Sequence, residues 1–161
     1  MLKYVETAVT FSEIPDEVTL CINISNCPCH CKGCHSSYLA EDIGEELTCK
    51  RLEELLQANE GISCVAFMGG DSDPLEVYSL AKYVKLFYPG IKTAWYSGRQ
   101  DLPKKFTLDE LNYVKLGPYV EELGPLNSKT TNQRFYEVSK EVDNKGNPIC
   151  KLVDITNKFW K

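Results

Sequence analysis

The chain has 161 residues, a hydrophobic fraction of 43%, a charged fraction of 25% and a formal net charge of −5. These values predict one globular domain over residues 1–161, with enough apolar residues to form a core. The negative charge argues against a nucleic-acid-binding surface, and no apolar run reaches the roughly 18 residues of a membrane helix. Residues 1–7 lack the apolar region of a signal peptide, so we expect a cytoplasmic protein without nucleic-acid or membrane partners.

The first predicted element is a strand over residues 18–24, in which apolar and polar side chains alternate. A loop with the sequence Cys-Pro-Cys-His-Cys-Lys-Gly-Cys-His comes directly after it, over residues 27–35. Cysteines this close together cannot pair with one another without strain, so in a reducing compartment they predict metal ligation. The four other cysteines are predicted to be packing residues; they are Cys21, Cys49, Cys64 and Cys150.

Strands and helices alternate through the middle of the chain. The predicted order begins with a helix that Thr48 caps and that ends near Gln57, followed by a strand over 64–68. A second helix is capped by Asp73, begins at Pro74 and is stopped by Pro89-Gly90. A strand over 92–96, a short helix over 107–111 and a strand over 113–116 complete this region. Strands over 134–138 and 150–155 flank a turn-rich segment and predict a small C-terminal β-hairpin. The alternation favours a parallel sheet, and the chain is too short for a closed eight-unit barrel. The predicted fold class is therefore α/β, an incomplete (open) β/α barrel with a hairpin extension.

Ligands of parallel sheets bind at the carboxyl ends of the strands. Four loops are predicted to lie at this edge, namely the cysteine loop, Gly69-Gly70-Asp71, Ser97-Gly98 and Gly117-Pro118. The sequence therefore predicts that these loops form one site.

Two metal chemistries suit the cysteine loop. Cys27, Cys31 and Cys34 are spaced C-x3-C-x2-C, and three thiolates can hold three irons of a [4Fe–4S] cluster while the fourth iron stays open. Alternatively, cysteine pairs together with His30 and His35 could bind zinc. Zinc sites usually combine ligand pairs from separate parts of the chain, and no second pair lies downstream here. The spacing therefore favours the cluster, with zinc as the alternative.

The same spacing, placed after the first predicted strand, resembles the signature of the radical S-adenosylmethionine (SAM) superfamily. Met68-Gly69-Gly70-Asp71 resembles the second motif of that superfamily, a glycine pair with an acidic residue. Within it, the chain is most similar to the small activating proteins of the anaerobic ribonucleotide reductase. That resemblance is carried by Lys32-Gly33-Cys34, Tyr96-Ser97-Gly98, the segment 117–123, Ser128 and Thr131-Asn132-Gln133-Arg134.

The resemblance implies an open barrel of the radical SAM type and a set of functional residues. Cys27, Cys31 and Cys34 would bind the cluster; Gly69, Gly70 and Asp71 would hold the amino group of SAM, and Ser97 and Gly98 would lie along its nucleoside. An electron from a low-potential donor, such as flavodoxin or ferredoxin, would cleave SAM to methionine and a 5′-deoxyadenosyl radical. That radical would take hydrogen from a glycine of the reductase large subunit. No catalytic residue beyond the cluster and the cofactor is implied.

Several departures and alternatives accompany this interpretation. Cys29 and His30 are unusual inside the cluster loop, and His35 replaces an aromatic residue; all three are predicted bystanders. Asn132, Gln133 and Arg134 belong either to a solvated strand edge or to the site and partner contact. The alternative functions are activation of another glycyl-radical enzyme, a small radical SAM tailoring enzyme and a non-catalytic zinc-binding adaptor.

Overall fold

The computed structural model describes residues 1–34 and 36–160, which form one mixed sheet of eight strands with two α-helices. The strands are β1 (Lys3–Thr10), β2 (Thr19–Ile24), β3 (Glu45–Glu46), β4 (Cys64–Met68), β5 (Lys92–Tyr96), β6 (Tyr113–Leu116), β7 (Arg134–Val142) and β8 (Pro148–Asp154). The helices are α1 (Cys49–Ala58) and α2 (Pro74–Phe87), and short 3-10 turns cover Ser37–Ala40 and Thr156–Phe159.

The strand order is β3-β1-β2-β4-β5-β6-β7-β8. The four central strands, β2, β4, β5 and β6, are parallel neighbours, so their carboxyl ends lie at one edge. β1 and β3 extend one side of this centre antiparallel, and β7 and β8 extend the other side in the same way. The loops that leave the central strands are therefore neighbours in space as well as in order.

The predicted open β/α barrel of the radical SAM type is wrong. A β/α barrel places a helix after each parallel strand, whereas the described residues contain α-helices only at Cys49–Ala58 and Pro74–Phe87. The connection from β5 to β6 has turns where a short helix over 107–111 was predicted. Antiparallel strands add to both sides of the parallel centre and give a mixed sheet. The C-terminal hairpin is present as β7 and β8.

Most predicted elements of the central region are confirmed. The bounds of β4, β5 and β6 agree with the prediction, and β2 begins one residue later, at Thr19. Thr48 caps α1 by accepting a hydrogen bond from Arg51 N at 3.0 Å. Asp73 caps α2 by accepting one from Glu76 N at 3.3 Å, with Pro74 at the first helical position. The strands β1 and β3 were not predicted.

The two faces of the sheet are covered differently. The helices pack on one face over the larger core, where Phe67, Leu80 and Trp95 are fully buried. The other face carries a smaller apolar cluster around Ile14, Phe135 and Tyr113, covered by loop segments. The second face therefore has room for a cavity beside the strand ends. Within the described ranges, no helix is both long and apolar enough to cross a membrane.

Candidate metal centre

The chain leaves β2 at residue 25 and enters the cysteine loop, which the structure describes from Cys27 to Cys34. Its backbone turns sharply, because Asn26, His30 and Gly33 all have positive φ (57°, 46° and 75°). Pro28, His30 and Lys32 are exposed, whereas the four thiols are free and half-buried. The half-buried thiols are those of Cys27, Cys29, Cys31 and Cys34. The loop thus keeps its sulfur atoms against the protein; His35 lies outside the described residues, so its role stays a prediction.

Cys29 contacts the neighbouring strand-end loops. Its Sγ lies 3.6 Å from Oδ2 of Asp71 and only 2.5 Å from the position that a Cβ on Gly98 would occupy. Burial, followed by electrostatic interaction with Asp71 and Cys27, raises the pKa of the Cys29 thiol to about 12. Cys29 is therefore held as a protonated thiol that packs on the loop after β5. This arrangement favours its predicted role as a bystander.

Asp71, directly after the glycine pair, ties the ends of β4 and β5 together. It is 2% exposed. Ser97 Oγ donates to its Oδ1 at 2.5 Å, and the Gly98 N–H donates to Oδ2 at 2.8 Å. The Arg99 guanidinium donates to the Asp71 carbonyl at 2.9 Å and lies 3.5 Å from Oδ1. Both carboxylate oxygens thus face donors of the chain itself, and the predicted contact with an amino group of SAM stays a prediction.

The glycine pair requires glycine at both positions. Gly69 has φ +109°, and its N–H and carbonyl bond to Tyr96 O (3.0 Å) and Trp95 Nε1 (2.8 Å). Gly70 has φ +97°, and a Cβ there would lie 2.5 Å from Cγ2 of Val77. L-residues rarely adopt this conformation. The pair therefore brings its backbone close to both β5 and α2.

Lys115, in β6, is a buried cation that the sequence analysis did not identify. It is 8% exposed, and its Nζ donates to the carbonyls of Ser97 at 2.9 Å and Gly117 at 3.0 Å. Burial lowers the pKa of Lys115, while Asp71 and cysteines of the loop, Cys31 first among them, act in the opposite direction. The sequence signal that could have identified Lys115 is a lysine inside a short, otherwise apolar strand. Lys115 joins the ends of β5 and β6 and places a positive charge near the thiols.

A cavity of about 1010 Å³ opens beside these loops, on the sheet face away from the helices. Its wall includes Cys34, Ser36, Tyr96, Lys115, Gln133 and Phe159. The cysteine loop therefore borders a space large enough for a nucleotide-sized ligand or a peptide segment.

The segment Asn132-Gln133-Arg134 divides between two environments. Gln133 is 7% exposed and lines the cavity. Asn132 Nδ2 donates to Pro118 O at 3.1 Å, while its Oδ1 is buried without a hydrogen-bond partner among residues 1–34 and 36–160. Arg134 pairs with Asp154 of the hairpin at 3.7 Å. The predicted alternatives thus separate, since Gln133 faces the cavity and Arg134 faces the hairpin.

The cysteine loop offers several free thiols to a metal centre. In the part of the chain that the structure describes, no three His, Cys, Asp or Glu side chains converge tightly enough to hold one metal ion. A [4Fe–4S] cluster binds each thiolate on a different iron, and all of its cysteine ligands must reach the same cluster. The free, half-buried thiols of the glycine-containing loop are the donors that it offers.

The mixed sheet carries a thiol-rich loop at its strand ends, and such a loop has the donors of a metal-binding protein. A family model described as a 4Fe-4S single cluster domain matches residues 17–138. The chain belongs to this family and is an iron–sulfur protein, which decides between the cluster and zinc. No curated protein and no solved structure matches the chain.

Proposed function

We propose that the chain is a radical SAM activase that generates a glycyl radical on the large subunit of the anaerobic ribonucleotide reductase. The observation that carries this proposal is the convergence of the cysteine loop, the glycine pair and the loop after β5 at one edge, where Asp71 contacts Cys29 (3.6 Å) and Gly98 (2.8 Å). The adjoining cavity has Cys34 in its wall but none of the proposed SAM contacts, so it offers room for a substrate segment beside the cysteine loop.

In this proposal, Cys27, Cys31 and Cys34 hold the [4Fe–4S] cluster. A cluster held by three thiolates supplies an electron and an open iron position, the chemistry that reductive cleavage of a sulfonium requires. The loop contributes three of its thiols and keeps the fourth, Cys29, packed against Asp71 and Gly98.

The glycine pair and the loop after β5 are the proposed SAM contacts. The glycine pair has no side chains, so its backbone can come close to an amino group; the carbonyls of Gly69 and Gly70 already accept from Trp95 Nε1 (2.8 Å) and Asp73 N (3.0 Å) and would have to accept a second hydrogen bond. Ser97 and Gly98 are fixed by Asp71 and would flank the nucleoside. In this proposal Asp71 is also a positioning residue, because its hydrogen bonds set the distance between the glycine pair and the loop after β5.

The proposed reaction is balanced by an external one-electron donor such as reduced flavodoxin or ferredoxin. One electron and one SAM give methionine and, after hydrogen abstraction, 5′-deoxyadenosine. The hydrogen comes from the Cα of a glycine in the partner, which keeps the unpaired electron. Glycine suits this step because its Cα radical can be planar and has no side chain to block the approach.

Product analysis tests the proposal. The reconstituted chain with dithionite and SAM should form 5′-deoxyadenosine and methionine in equal amounts, and Cys31→Ala should form neither. With a large subunit deuterated at glycine, deuterium should appear in 5′-deoxyadenosine. Absence of SAM cleavage in wild type would contradict the radical SAM assignment. Cleavage without deuterium transfer would contradict the reductase as partner and favour another glycyl-radical enzyme.

A further inference from the structure

Gln133 is a buried polar side chain whose hydrogen-bonding capacity is largely unused. It is 7% exposed, and its Nε2 donates to Gly117 O at 3.5 Å, the long limit for such a bond. That carbonyl already accepts from Lys115 Nζ at the shorter distance of 3.0 Å. Oε1 of Gln133 is not among the buried polar atoms that lack a partner within residues 1–34 and 36–160, so it is open to the cavity that Gln133 lines. The carboxamide can therefore bond to a molecule in the cavity without giving up a strong bond in the protein.

The backbone around Gln133 is fixed, so the carboxamide is held where it lies. The Gln133 N–H donates to Oγ1 of Thr131, which is itself 3% exposed, at 3.0 Å. The turn at Gly117 (φ +113°) packs so closely that a Cβ there would lie 3.1 Å from Gln133 Cα. β7 begins at the next residue and pairs with β6. The side chain therefore projects from a rigid strand end into the cavity that Cys34 also lines.

A carboxamide has one acceptor and donors on the same planar group. It matches the N–H and C=O of a single residue in an extended peptide, to which it can make two hydrogen bonds at once. The cavity wall combines the apolar surfaces of Leu126 and Phe159 with charged side chains such as Glu13 and Lys158. The carboxamide of Gln133 therefore suits the backbone of a peptide segment in this cavity.

We propose that Gln133 recognises the peptide backbone of the partner segment that carries the reacting glycine, and holds that segment in the cavity beside the cysteine loop. The inference rests on the proposed function, because it assigns a residue of the same cavity to the partner. Thr131 and Gly117 act as positioning residues for the carboxamide.

The test measures binding of the large subunit to the full, anaerobically reconstituted chain. Gln133→Met keeps the length of the side chain and removes both hydrogen bonds, so the affinity for the subunit should fall about tenfold. Gln133→Glu keeps the acceptor and loses the donor, and its affinity should fall as well. The matched control is Gln57→Met, at an exposed glutamine of α1, which should stay within about twofold of wild type. Thermal unfolding of each variant establishes that it is folded.

Two results with the Gln133 variants would overturn the inference. The first is that Gln133→Met is folded and binds the large subunit as tightly as wild type does. A loss of affinity for SAM alone, measured by calorimetry, would assign the carboxamide to the nucleoside instead. Amide exchange in wild type gives a check that needs no variant, since adding the subunit should slow exchange over residues 131–136, and an unchanged rate would contradict the proposal. Failure of the proposed function can be distinguished from failure of this inference. If the proposed function is wrong, the wild-type chain does not cleave SAM even when it is assayed without a partner.

Discussion

Four thiols within residues 27–34 exceed the three that a cluster with an open iron requires. The contacts of Cys29 set it apart from the others, since its Sγ packs against Asp71 and Gly98. At the scale of single residues, the loop therefore divides into three proposed ligands and one packing thiol.

Paired alanine variants test this division. Cys29→Ala should retain its iron and its cluster absorption after anaerobic reconstitution, because it removes a protonated thiol. Cys31→Ala should lose most of its iron, because one of three thiolates is gone. Iron and sulfide per chain, together with the visible absorption spectrum, provide the measurement. Loss of iron in Cys29→Ala with full retention in Cys31→Ala would reverse the assignment.

Asp71 provides a second test at this scale. Asp71→Asn keeps the size of the side chain but removes the charge beside Arg99, and in either orientation its NH₂ group faces the Gly98 N–H or the Arg99 guanidinium. We expect a loss of about 1–3 kcal/mol in the free energy of unfolding of the metal-free chain. Urea unfolding under reducing conditions measures it.

The matched control for Asp71 is Asp101→Asn, at an exposed aspartate further along the loop after β5. Its free energy of unfolding should change by less than about 0.5 kcal/mol. Equal losses in the free energy of unfolding for the two substitutions would show that the contacts of Asp71 do not stabilise the strand ends.

At the scale of elements, the glycine pair links β4 to α2 and to β5. Gly70→Ala should destabilise the chain by about 1–3 kcal/mol, because it combines a strained φ of +97° with a Cβ placed 2.5 Å from Val77 Cγ2. Gly61→Ala is the control, since Gly61 also has a positive φ (+88°) but has open space around its Cβ position. The difference between the two unfolding free energies isolates the clash.

The double variant Gly70→Ala/Val77→Ala sharpens this prediction. Removing the Cγ2 atom should recover part of the packing strain, so the two substitutions should be non-additive. Strict additivity, or equal losses in Gly61→Ala and Gly70→Ala, would contradict the close approach of the glycine pair to α2.

The opposite end of the parallel strands is held by Glu17. Its carboxylate accepts hydrogen bonds from Ser63 Oγ (2.6 Å), Lys92 Nζ (2.7 Å) and Tyr113 Oη (3.1 Å). Ser63 lies directly before β4, Lys92 begins β5 and Tyr113 begins β6. Burial alone would raise the pKa of Glu17, but the hydrogen bonds and the charge of Lys92 outweigh it and lower the pKa. Glu17 is therefore more acidic in the folded protein than in the unfolded chain.

This shift predicts how stability depends on pH. Because the folded pKa is the lower one, the contribution of Glu17 is fully present above its ordinary value of 4.5 and is lost as pH falls through the folded value. The stability advantage of wild type over Glu17→Gln should therefore shrink below about pH 4.5. Urea unfolding between pH 3 and 7 measures it, with exposed Glu60→Gln as control. A constant difference across this range would show that Glu17 carries no such linkage.

Local patterns predicted the central elements well, because they depend on short apolar runs and on caps such as Thr48 and Asp73. β1 was missed because its pattern is mostly half-exposed or exposed, and β3 because it has two residues. The barrel prediction failed because strand–helix alternation in the middle of the chain does not determine the structure of the chain beyond β5. The convergence of the loops was predictable from strand direction. The contacts of Lys115 with Ser97 and Gly117 were not, because a strand pattern does not show which backbone groups a buried lysine will reach. The contact of Gln133 with Gly117 was not, because it depends on β7 lying antiparallel beside β6.

At the scale of the whole molecule, one mixed sheet performs two tasks. The face with the helices buries the larger core, and the opposite face leaves a cavity of about 1010 Å³ next to the cysteine loop. The antiparallel strands at both sides widen the sheet without closing it. The proposed cluster loop therefore lies at an open edge that a segment of another protein can enter.

The proposed function requires a cluster with an open iron that SAM can reach. Electron paramagnetic resonance of the reduced, reconstituted chain tests this requirement directly. The expected result is about four irons per chain, a reduced-cluster signal, and a clear change in that signal when SAM is added. Cys31→Ala serves as the control and should give no such signal. A reduced cluster whose signal is identical with and without SAM, or a chain that retains one zinc and takes up no iron, would contradict the account.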